Sequence, residues 1–213
     1  GRFSTFIHAP ISGTVTSIAP MKFRSEQEVL AITIESDGKM ELADTVKPPV
    51  ITDCDSFLQA VRDGGIVGLG GAAFPTWAKF NEAKNPDYKV DTVLINAAEC
   101  EPYITSDHRM MLEHPELIAD GIEYLRKYMN EYLGNAVFKI CIEKNKPDAI
   151  DVLKATFKDK DYVVIHELDA IYPQGAKQVM LYNATGRVAV AGRRFPSFGA
   201  LIINVSSIAK MAE

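Results

Sequence analysis

The 213-residue chain carries 23 Lys and Arg against 28 Asp and Glu, which gives a formal net charge of −5. Its basic residues are spread along the chain without a cluster, which excludes the electrostatic surface that nucleic-acid-binding proteins use. With 47% hydrophobic and 24% charged residues, and no apolar run near the roughly 20 residues that cross a bilayer, we expect a soluble, intracellular, globular protein without membrane insertion.

The first 50 residues alternate short apolar stretches with turn-forming residues. Apolar positions such as Val15, Ile18 and 29–34 are separated by Pro and Gly residues, which is typical of β-strands. Residues 8–18 resemble half of a barrel-sandwich hybrid domain, the fold of lipoyl and biotinyl carriers. A carrier presents its modified lysine on a tight hairpin, and Lys22 lacks that setting. We therefore predict a structural β segment followed by a connector, together spanning residues 1–50.

From residue 51 onward, helical and strand periodicity alternate. Asp53 or Asp55 is placed to cap a helix that ends at Gly64-Gly65. Apolar strands are predicted at 92–95, 136–142, 162–165 and 201–205, with an amphipathic helix at 117–125. Strands that alternate with crossover helices form a largely parallel sheet, and such sheets bind ligands at the carboxyl ends of their strands. The prediction for residues 51–213 is therefore a ligand-binding α/β domain.

A glycine-rich loop with the sequence GLGGAAFPT begins at Gly68. Glycines let the backbone approach a ligand closely, and the helix that follows presents free N–H groups to an anion. Thr76 is placed to cap that helix, and Lys79 lies about one turn further, where it can add a point charge for a phosphate. The loop fits neither the Walker pattern nor Gly-x-Gly-x-x-Gly. Phosphate binding and a plain tight turn both remain open at this point.

A polar loop with the sequence NAAECEPYITSD begins at Asn96, directly after a predicted strand. Its amide, carboxylates and hydroxyls suit hydrogen bonding to ribityl or ribose hydroxyls and to a flavin ring. The alternative is a solvated polar loop in which Asp107 caps the next helix.

These two loops and a third motif, Tyr172-Pro-Gln-Gly175, resemble the ordered motifs of the C subunit of Rnf-type electron-transport complexes. They are more distantly similar to the flavin subunit of respiratory complex I. The resemblance implies a Rossmann-like parallel sheet of the complex I flavin-subunit type, preceded by a small hybrid-like β segment. It also implies an FMN-binding domain at residues 51–213 that accepts hydride from NADH and passes single electrons to 4Fe-4S clusters.

Carried over by motif position, the resemblance assigns the cofactor-binding residues. The glycine loop and Lys79 would hold phosphate or the dinucleotide, Phe74 would lie near the nicotinamide or adenine, and the remaining residues would line the flavin and NADH pocket. No protein acid, base or metal is implied, because the flavin carries the chemistry. The implied residues are Gly68, Gly70, Gly71, Phe74, Lys79, Asn96, Glu99, Glu101, Tyr172, Gly175, Asn204 and Ser206.

Two departures from the family pattern keep other functions open. The usual third motif is Tyr-Pro-x-Gly-x-Glu-Lys-Gln, whereas this chain is one residue shorter after Gly175 and lacks the glutamate. This favours an alternative in which a paralogue serves a dedicated soluble reductase, such as a proline or cobalamin reductase system, with a donor other than NADH. A flavin-free docking module is a third possibility.

The second departure is that no Cys-x-x-Cys-x-x-Cys motif of ferredoxin type is present, so we expect the clusters to lie outside this sequence. The expected partners are other subunits of a membrane electron-transport complex, or a partner reductase, at the inner face of the cell membrane. Among the remaining residues, Arg187, Arg193 and Arg194 are expected in a solvated loop, with contact to a phosphate or to a domain outside this sequence as the alternatives.

Overall fold

The computed structural model of the chain describes residues 3–22 and 27–213. The described residues divide into two compact units, one formed by 3–6 together with 51–213 and the other by 7–50. Within the described part of the chain, none of the helices has both the length and the apolarity needed to cross a membrane.

The smaller unit contains an antiparallel strand pair. Strand β1 spans Gly13–Lys22 and strand β2 spans Glu28–Ser36, in a register that places Ile18 opposite Ile32. The register shifts between Val15 and Ser17. These strands lie where the alternation of apolar stretches and turn formers predicted β structure, and residues 37–50 contain neither helix nor strand.

The larger unit is built on a four-stranded parallel sheet. Its strands are β3 (Thr92–Ala97), β4 (Val137–Glu143), β5 (Val163–Leu168) and β6 (Ala200–Asn204), and their order is β5-β4-β3-β6. All three strand pairings are parallel. The predicted α/β fold with a parallel sheet is confirmed. Because β3 and β6 are neighbours in the sheet, the loops that follow them meet at one edge.

Helices cover the connections between the strands. The first, α1 (Cys54–Asp63), starts at a capping box in which the Asp53 carboxylate accepts from the Ser56 N–H and the Ser56 hydroxyl accepts from the Asp53 N–H. The α1 helix ends at Gly64, as predicted. The others are α2 (Thr76–Glu82), α3 (Ser106–Glu113), α4 (Pro115–Tyr128), α5 (Asn130–Leu133), α6 (Pro147–Thr156), α7 (Lys177–Thr185) and α8 (Val205–Ala209), with a 3-10 turn at Phe195–Phe198.

The core lies on both faces of the sheet, because successive side chains of a strand point to opposite faces. Val93 and Ile95 of β3 belong to a large cluster that includes residues of α1, α4 and α6, whereas Leu94 belongs to a second cluster with Met180 and Leu181 of α7. Burial on both faces explains why β3 is an almost uninterrupted apolar run in the sequence.

Candidate functional site

A cavity of about 750 Å³ opens at the carboxyl ends of β3 and β6. Its size falls within the range of about 300–1,000 Å³ that is typical of ligand pockets. Loops from four parts of the larger unit line this space, which we call the large cavity. Its lining comprises Leu69, Gly70, Gly71, Asn96, Ala98, Glu99, Cys100, Glu101, Ile104, Ser106, Asp107, Met110, Tyr172, Pro173, Gly175, Ala176, Asn204, Ser206 and Lys210.

The structure brings most of the predicted binding residues together around the large cavity. All of them line it except Gly68, Phe74 and Lys79. Phe74 and Lys79 line a second, neighbouring cavity, and Gly68 is buried within the glycine loop beside the Lys79 ammonium. Three motifs that are far apart in the sequence therefore form one continuous site.

The glycine loop is fastened to the start of α8. The Ser207 hydroxyl accepts from the Leu69 N–H at 3.0 Å and donates to the Val67 carbonyl at 3.0 Å. The Gly68 N–H donates to the Phe74 carbonyl at 2.9 Å, which closes the loop on itself. Fully buried Ser207 thus fixes the loop to the part of the chain that also carries two predicted binding residues.

Close approach at Gly70 explains why a glycine stands there. A Cβ at that position would lie 2.9 Å from Asn204 Nδ2, closer than a carbon can approach without displacing the amide. At Gly71 an added Cβ would meet nothing within 4 Å. The left-handed backbone conformation in this loop is adopted by Ala73, with φ of 51°, instead of by a glycine.

Thr76 does not cap α2, so this prediction is wrong. Pro75 occupies the N-cap position, and within the described part of the chain the helix has no side-chain cap. The Thr76 side chain is fully buried, and its hydroxyl has no hydrogen-bond partner among the described residues. The reason is that the helix begins at the threonine itself, one position earlier than expected.

In the polar loop after β3, Glu99 is the residue that caps the next helix. Its carboxylate accepts from the backbone N–H groups of Asp107 at 2.9 Å and His108 at 3.2 Å, at the positive end of α3. The alternative in which Asp107 caps this helix is wrong. Glu99 is itself held by Glu143, whose carboxylate accepts from the Glu99 N–H and pairs with Lys146 at 3.0 Å.

The Tyr172–Gly175 segment is tied to the same loop. Asn96 Nδ2 donates to the Gly175 carbonyl at 3.0 Å, and the Gly175 N–H donates to Cys100 Sγ at 3.4 Å. A Cβ on Gly175 would lie 3.1 Å from the Ala98 carbonyl oxygen, so a larger residue would force the two loops apart. Tyr172 is largely exposed at the mouth of the cavity.

A basic cavity of about 310 Å³ lies on the other part of the glycine loop. It is lined by the cations Lys79, Lys177, Arg193 and Arg194, one carboxylate, Glu82, and by Ala72, Phe74, Phe195, Pro196, Leu201 and Ile202. Glu82 pairs with Arg194 at 3.4 Å. The cations therefore outnumber the carboxylates, which suits an anionic ligand.

The surroundings of Lys79 in the basic cavity lower its pKa. Burial, reinforced by the charge of Lys177 and opposed by Glu82, lowers the pKa of Lys79 to about 8. Among the described residues, no side chain or carbonyl accepts a hydrogen bond from its ammonium. A half-buried ammonium without an acceptor is unfavourable for the free protein and fits a phosphate that would supply the missing acceptor.

The residues present fit FMN. The large cavity offers amide, hydroxyl and carboxylate groups for the polyhydroxy chain and ring, and its glycines leave room for a planar ligand. The basic cavity beside it offers cations for phosphate. Both cavities are lined by successive residues of the same loop, Gly70-Gly71 in one and Ala72 in the other.

Sequence reasoning missed several residues that line these cavities. Asp107 was considered as a helix cap, but its carboxylate lines the large cavity. Its position at the end of the polar loop, which follows a strand of the parallel sheet, was the signal for a cavity residue. Arg193 and Arg194 are exposed in a loop, as expected, and they also line the basic cavity. Arg187 has a structural contact, since its guanidinium donates to the Phe198 carbonyl and to Asp91.

Comparison with known families supports the sequence resemblance. Residues 61–213 match the family described as the Nuo51 FMN-binding domain, and residues 1–39 match the RnfC barrel sandwich hybrid domain. The match of the first family covers well over half of the chain.

Curated relatives are subunits of ion-translocating complexes. The chain is 36% identical over 216 residues to the C subunit of the Na(+)-translocating ferredoxin:NAD(+) oxidoreductase complex of Acetobacterium woodii, covering 100% of this chain and 47% of that protein. It is 35% identical to the C subunit of the proton-translocating complex of Clostridium ljungdahlii, covering 99% and 45% of the two chains. It is 34% identical to the C subunit of the ion-translocating oxidoreductase complex of Serratia proteamaculans, covering 94% and 28%. The chain thus spans less than half the length of these relatives.

Solved structures share the fold. A chain of an NAD+-reducing [NiFe]-hydrogenase in the H2-reduced state matches with a TM-score of 0.64 at 21% identity, covering 75% of this chain and 30% of that one. The air-oxidised form matches with a TM-score of 0.57 at 23% identity over the same shares. The sequence resemblance to the C subunit of Rnf-type complexes is confirmed, and the chain belongs to the Nuo51 FMN-binding domain family.

Proposed function

We propose that this chain is the FMN-binding, NADH-oxidising electron-transfer module of an Rnf-C-like subunit. The observation that carries the proposal is the convergence of three separate motifs on one cavity of about 750 Å³ at the carboxyl ends of the parallel strands. When bound, FMN supplies hydride acceptance and the release of single electrons. The iron–sulfur clusters that receive these electrons lie outside this sequence in the proposal.

The protein's part in this function is binding and orientation. Glycine at position 70 lets the loop lie against Asn204, and Glu101 and Tyr172 stand at the cavity wall where a second ligand would enter. Lys79 would hold a phosphate group of FMN or of the dinucleotide. No residue needs to move a proton for hydride transfer, so the site residues are binding residues.

The proposed partners are the other subunits of a membrane electron-transport complex. The names of the relatives support this, since each belongs to an ion-translocating oxidoreductase complex. In the proposal the module works at the inner face of the cell membrane without entering the bilayer.

A second candidate is a paralogue that receives electrons from a carrier other than NADH. It is favoured by one observation: after Gly175 the chain continues with Ala176, which lines the large cavity, and Lys177, which lines the basic cavity, so neither residue offers a carboxylate. Anaerobic addition of NADH to the FMN-loaded protein separates the two candidates. If NADH is the donor, we expect the flavin absorbance at about 450 nm to bleach. If a protein with bound FMN keeps its full absorbance, the paralogue with another electron donor is supported instead.

A further inference from the structure

Asp107, the second residue of α3, directs its carboxylate at the carboxyl end of β6. Its Oδ1 accepts from Ser206 Oγ at 2.5 Å and its Oδ2 accepts from Asn204 Nδ2 at 2.7 Å. All three side chains line the large cavity. One carboxylate therefore joins the helix after the polar loop to the two polar side chains at the end of the last strand.

These contacts fix the orientation of Asn204. Its Oδ1 accepts from the Ser207 N–H at 3.0 Å, as the N-cap of α8, while its Nδ2 is held by Asp107. The amide cannot turn over without losing both bonds. At Gly70 the glycine loop passes close to this Nδ2, since an added Cβ would lie 2.9 Å from it, so the position of Asn204 limits which side chains this part of the loop can carry.

The carboxylate of Asp107 faces the cavity without a cation in contact. Among the described residues Asp107 forms no ion pair, and the nearby Lys146 is engaged by Glu143 at 3.0 Å. Burial raises the pKa of Asp107 above its usual value, with a smaller contribution from Glu99, while the hydrogen bonds from Ser206 and Asn204 and the charge of Lys146 oppose the rise. Among the described residues, the side chains in direct contact with the Asp107 carboxylate are therefore the neutral hydrogen-bond donors Asn204 and Ser206.

We propose that Asp107 is a positioning residue of the flavin site, which orients Asn204 and Ser206 toward the ligand and places a negative charge in the large cavity that disfavours flavin reduction. The inference rests on the proposed function, because it concerns the FMN that the cavity would hold. Reduction adds electrons to the flavin, and a fixed negative charge nearby destabilises the reduced form relative to the oxidised form.

Two substitutions separate the hydrogen bonds from the charge. In Asp107→Asn, the side-chain oxygen can still accept from Asn204, and the new amide can donate to the Ser206 hydroxyl, which is able to accept. Only the charge is then lost. In Asp107→Ala both hydrogen bonds and the charge are lost. The matched control is Asp120→Asn, which removes the same charge from an exposed position on α4.

The experiment measures FMN affinity by fluorescence titration and the midpoint potential of bound FMN against a reference dye. Asp107→Ala is expected to weaken FMN binding about tenfold or more. Asp107→Asn is expected to bind FMN within a few-fold of wild type and to raise the reduced-to-oxidised ratio at fixed potential about tenfold, a positive shift of about 30 mV for a two-electron couple. Asp120→Asn should change neither quantity.

An unchanged potential in Asp107→Asn, or an unchanged FMN affinity in Asp107→Ala, would overturn the role of Asp107 while leaving the proposed function in place. If the wild-type protein bound no FMN at all, the proposed function itself would fail, and the role assigned to Asp107 with it. The wild-type titration therefore distinguishes the two failures before the variants are compared.

Discussion

The large cavity and the basic cavity share one glycine loop but differ in charge. Glu99, Glu101 and Asp107 line the first with Lys210 as its cation, whereas four cations and the single carboxylate of Glu82 line the second. The boundary between the two cavities falls between neighbouring residues at two places in the chain. Gly71 lines the large cavity and Ala72 the basic cavity, and at the start of α7 Ala176 lines the large cavity and Lys177 the basic cavity.

This difference indicates how one site can hold a ligand with two unlike ends. Hydroxyl and ring groups find hydrogen-bonding partners in the large cavity, while phosphate finds cations in the basic cavity. A phosphate would be repelled by the carboxylates of the large cavity, so the charge pattern favours one direction of binding for FMN or a dinucleotide.

The largest effect is expected from closing the large cavity at Gly70. In Gly70→Val the new side chain would displace Asn204, because even a Cβ lies 2.9 Å from its Nδ2. We expect FMN affinity to fall about 100-fold or more, given losses of about 2–5 kcal/mol for misfitted polar sites, and the melting temperature to fall as well, because the displaced Asn204 also caps α8. Gly71→Ala, where a Cβ meets no protein atom within 4 Å, is the control for stability. Equal FMN affinity of Gly70→Val and wild type would place the ligand elsewhere.

Removing the Lys79 ammonium from the basic cavity should weaken phosphate binding and stabilise the free protein. In Lys79→Met the affinity of the FMN-loaded protein for NADH is expected to fall about 10- to 100-fold, since hydrogen bonds to charged groups contribute about 1.5–3 kcal/mol. The melting temperature should rise or stay level, because a half-buried ammonium without an acceptor disappears. Lys154→Met, on the exposed side of α6, serves as the matched control. A loss of stability without a loss of affinity would make Lys79 a structural residue.

The lowered pKa of Lys79 predicts a pH dependence. A phosphate binds the protonated ammonium, so affinity for a phosphate-bearing ligand should be full below the free-state pKa of about 8 and decline as pH rises past it. The sign for stability is opposite, because the depressed pKa means that the charged lysine destabilises the fold below about 8 and this cost is relieved above it. Titrations of NADH from about pH 6.5 to about pH 9.5, which bracket that pKa, should show the decline in wild type and its absence in Lys79→Met.

A smaller effect on FMN affinity is expected from Glu99, a carboxylate of the large cavity that also caps α3. Glu99→Ala removes the acceptor for the Asp107 and His108 N–H groups, and losing such a helix cap costs about 1 kcal/mol. The free energy of unfolding in urea should fall by that amount, while FMN affinity should fall less than in Gly70→Val. An unchanged free energy of unfolding would show that water replaces the carboxylate without cost.

The smallest effect concerns the strain in the glycine loop. Ala73 adopts a φ of 51°, which glycine tolerates better than alanine. Ala73→Gly should therefore stabilise the protein by less than about 1 kcal/mol, because the relief of strain is partly offset by the greater flexibility of the unfolded chain. A clear loss of stability in urea denaturation would indicate that the Ala73 side chain itself contributes to packing.

Strand periodicity and motif order were sufficient to predict the parallel sheet and the meeting of the loops. Strands β3, β4, β5 and β6 begin within one residue of their predicted starts, because each is a compact apolar run within the sheet. The sequence motifs also named the loops that line the large cavity, since the carboxyl ends of parallel strands share one edge.

The spacing of residues in the sequence did not predict which polar side chain of those loops caps a helix and which one only lines the cavity. Glu99 caps α3 in place of Asp107 and also lines the large cavity, because the capping carboxylate comes from the preceding loop instead of from the helix's own first turn. The basic cavity was missed for a related reason. Its cations come from α2, α7 and the segment before the 3-10 turn, which become neighbours only after the chain folds.

The flavin assignment of the large cavity is tested most simply by a titration of FMN into the purified chain, followed by flavin fluorescence, with riboflavin as the comparison. We expect saturable binding of FMN and weaker binding of riboflavin, which lacks the phosphate that the basic cavity would hold. Binding of neither flavin would contradict the assignment of the large cavity as a flavin site, and equal binding of both would contradict the division of the ligand between the two cavities.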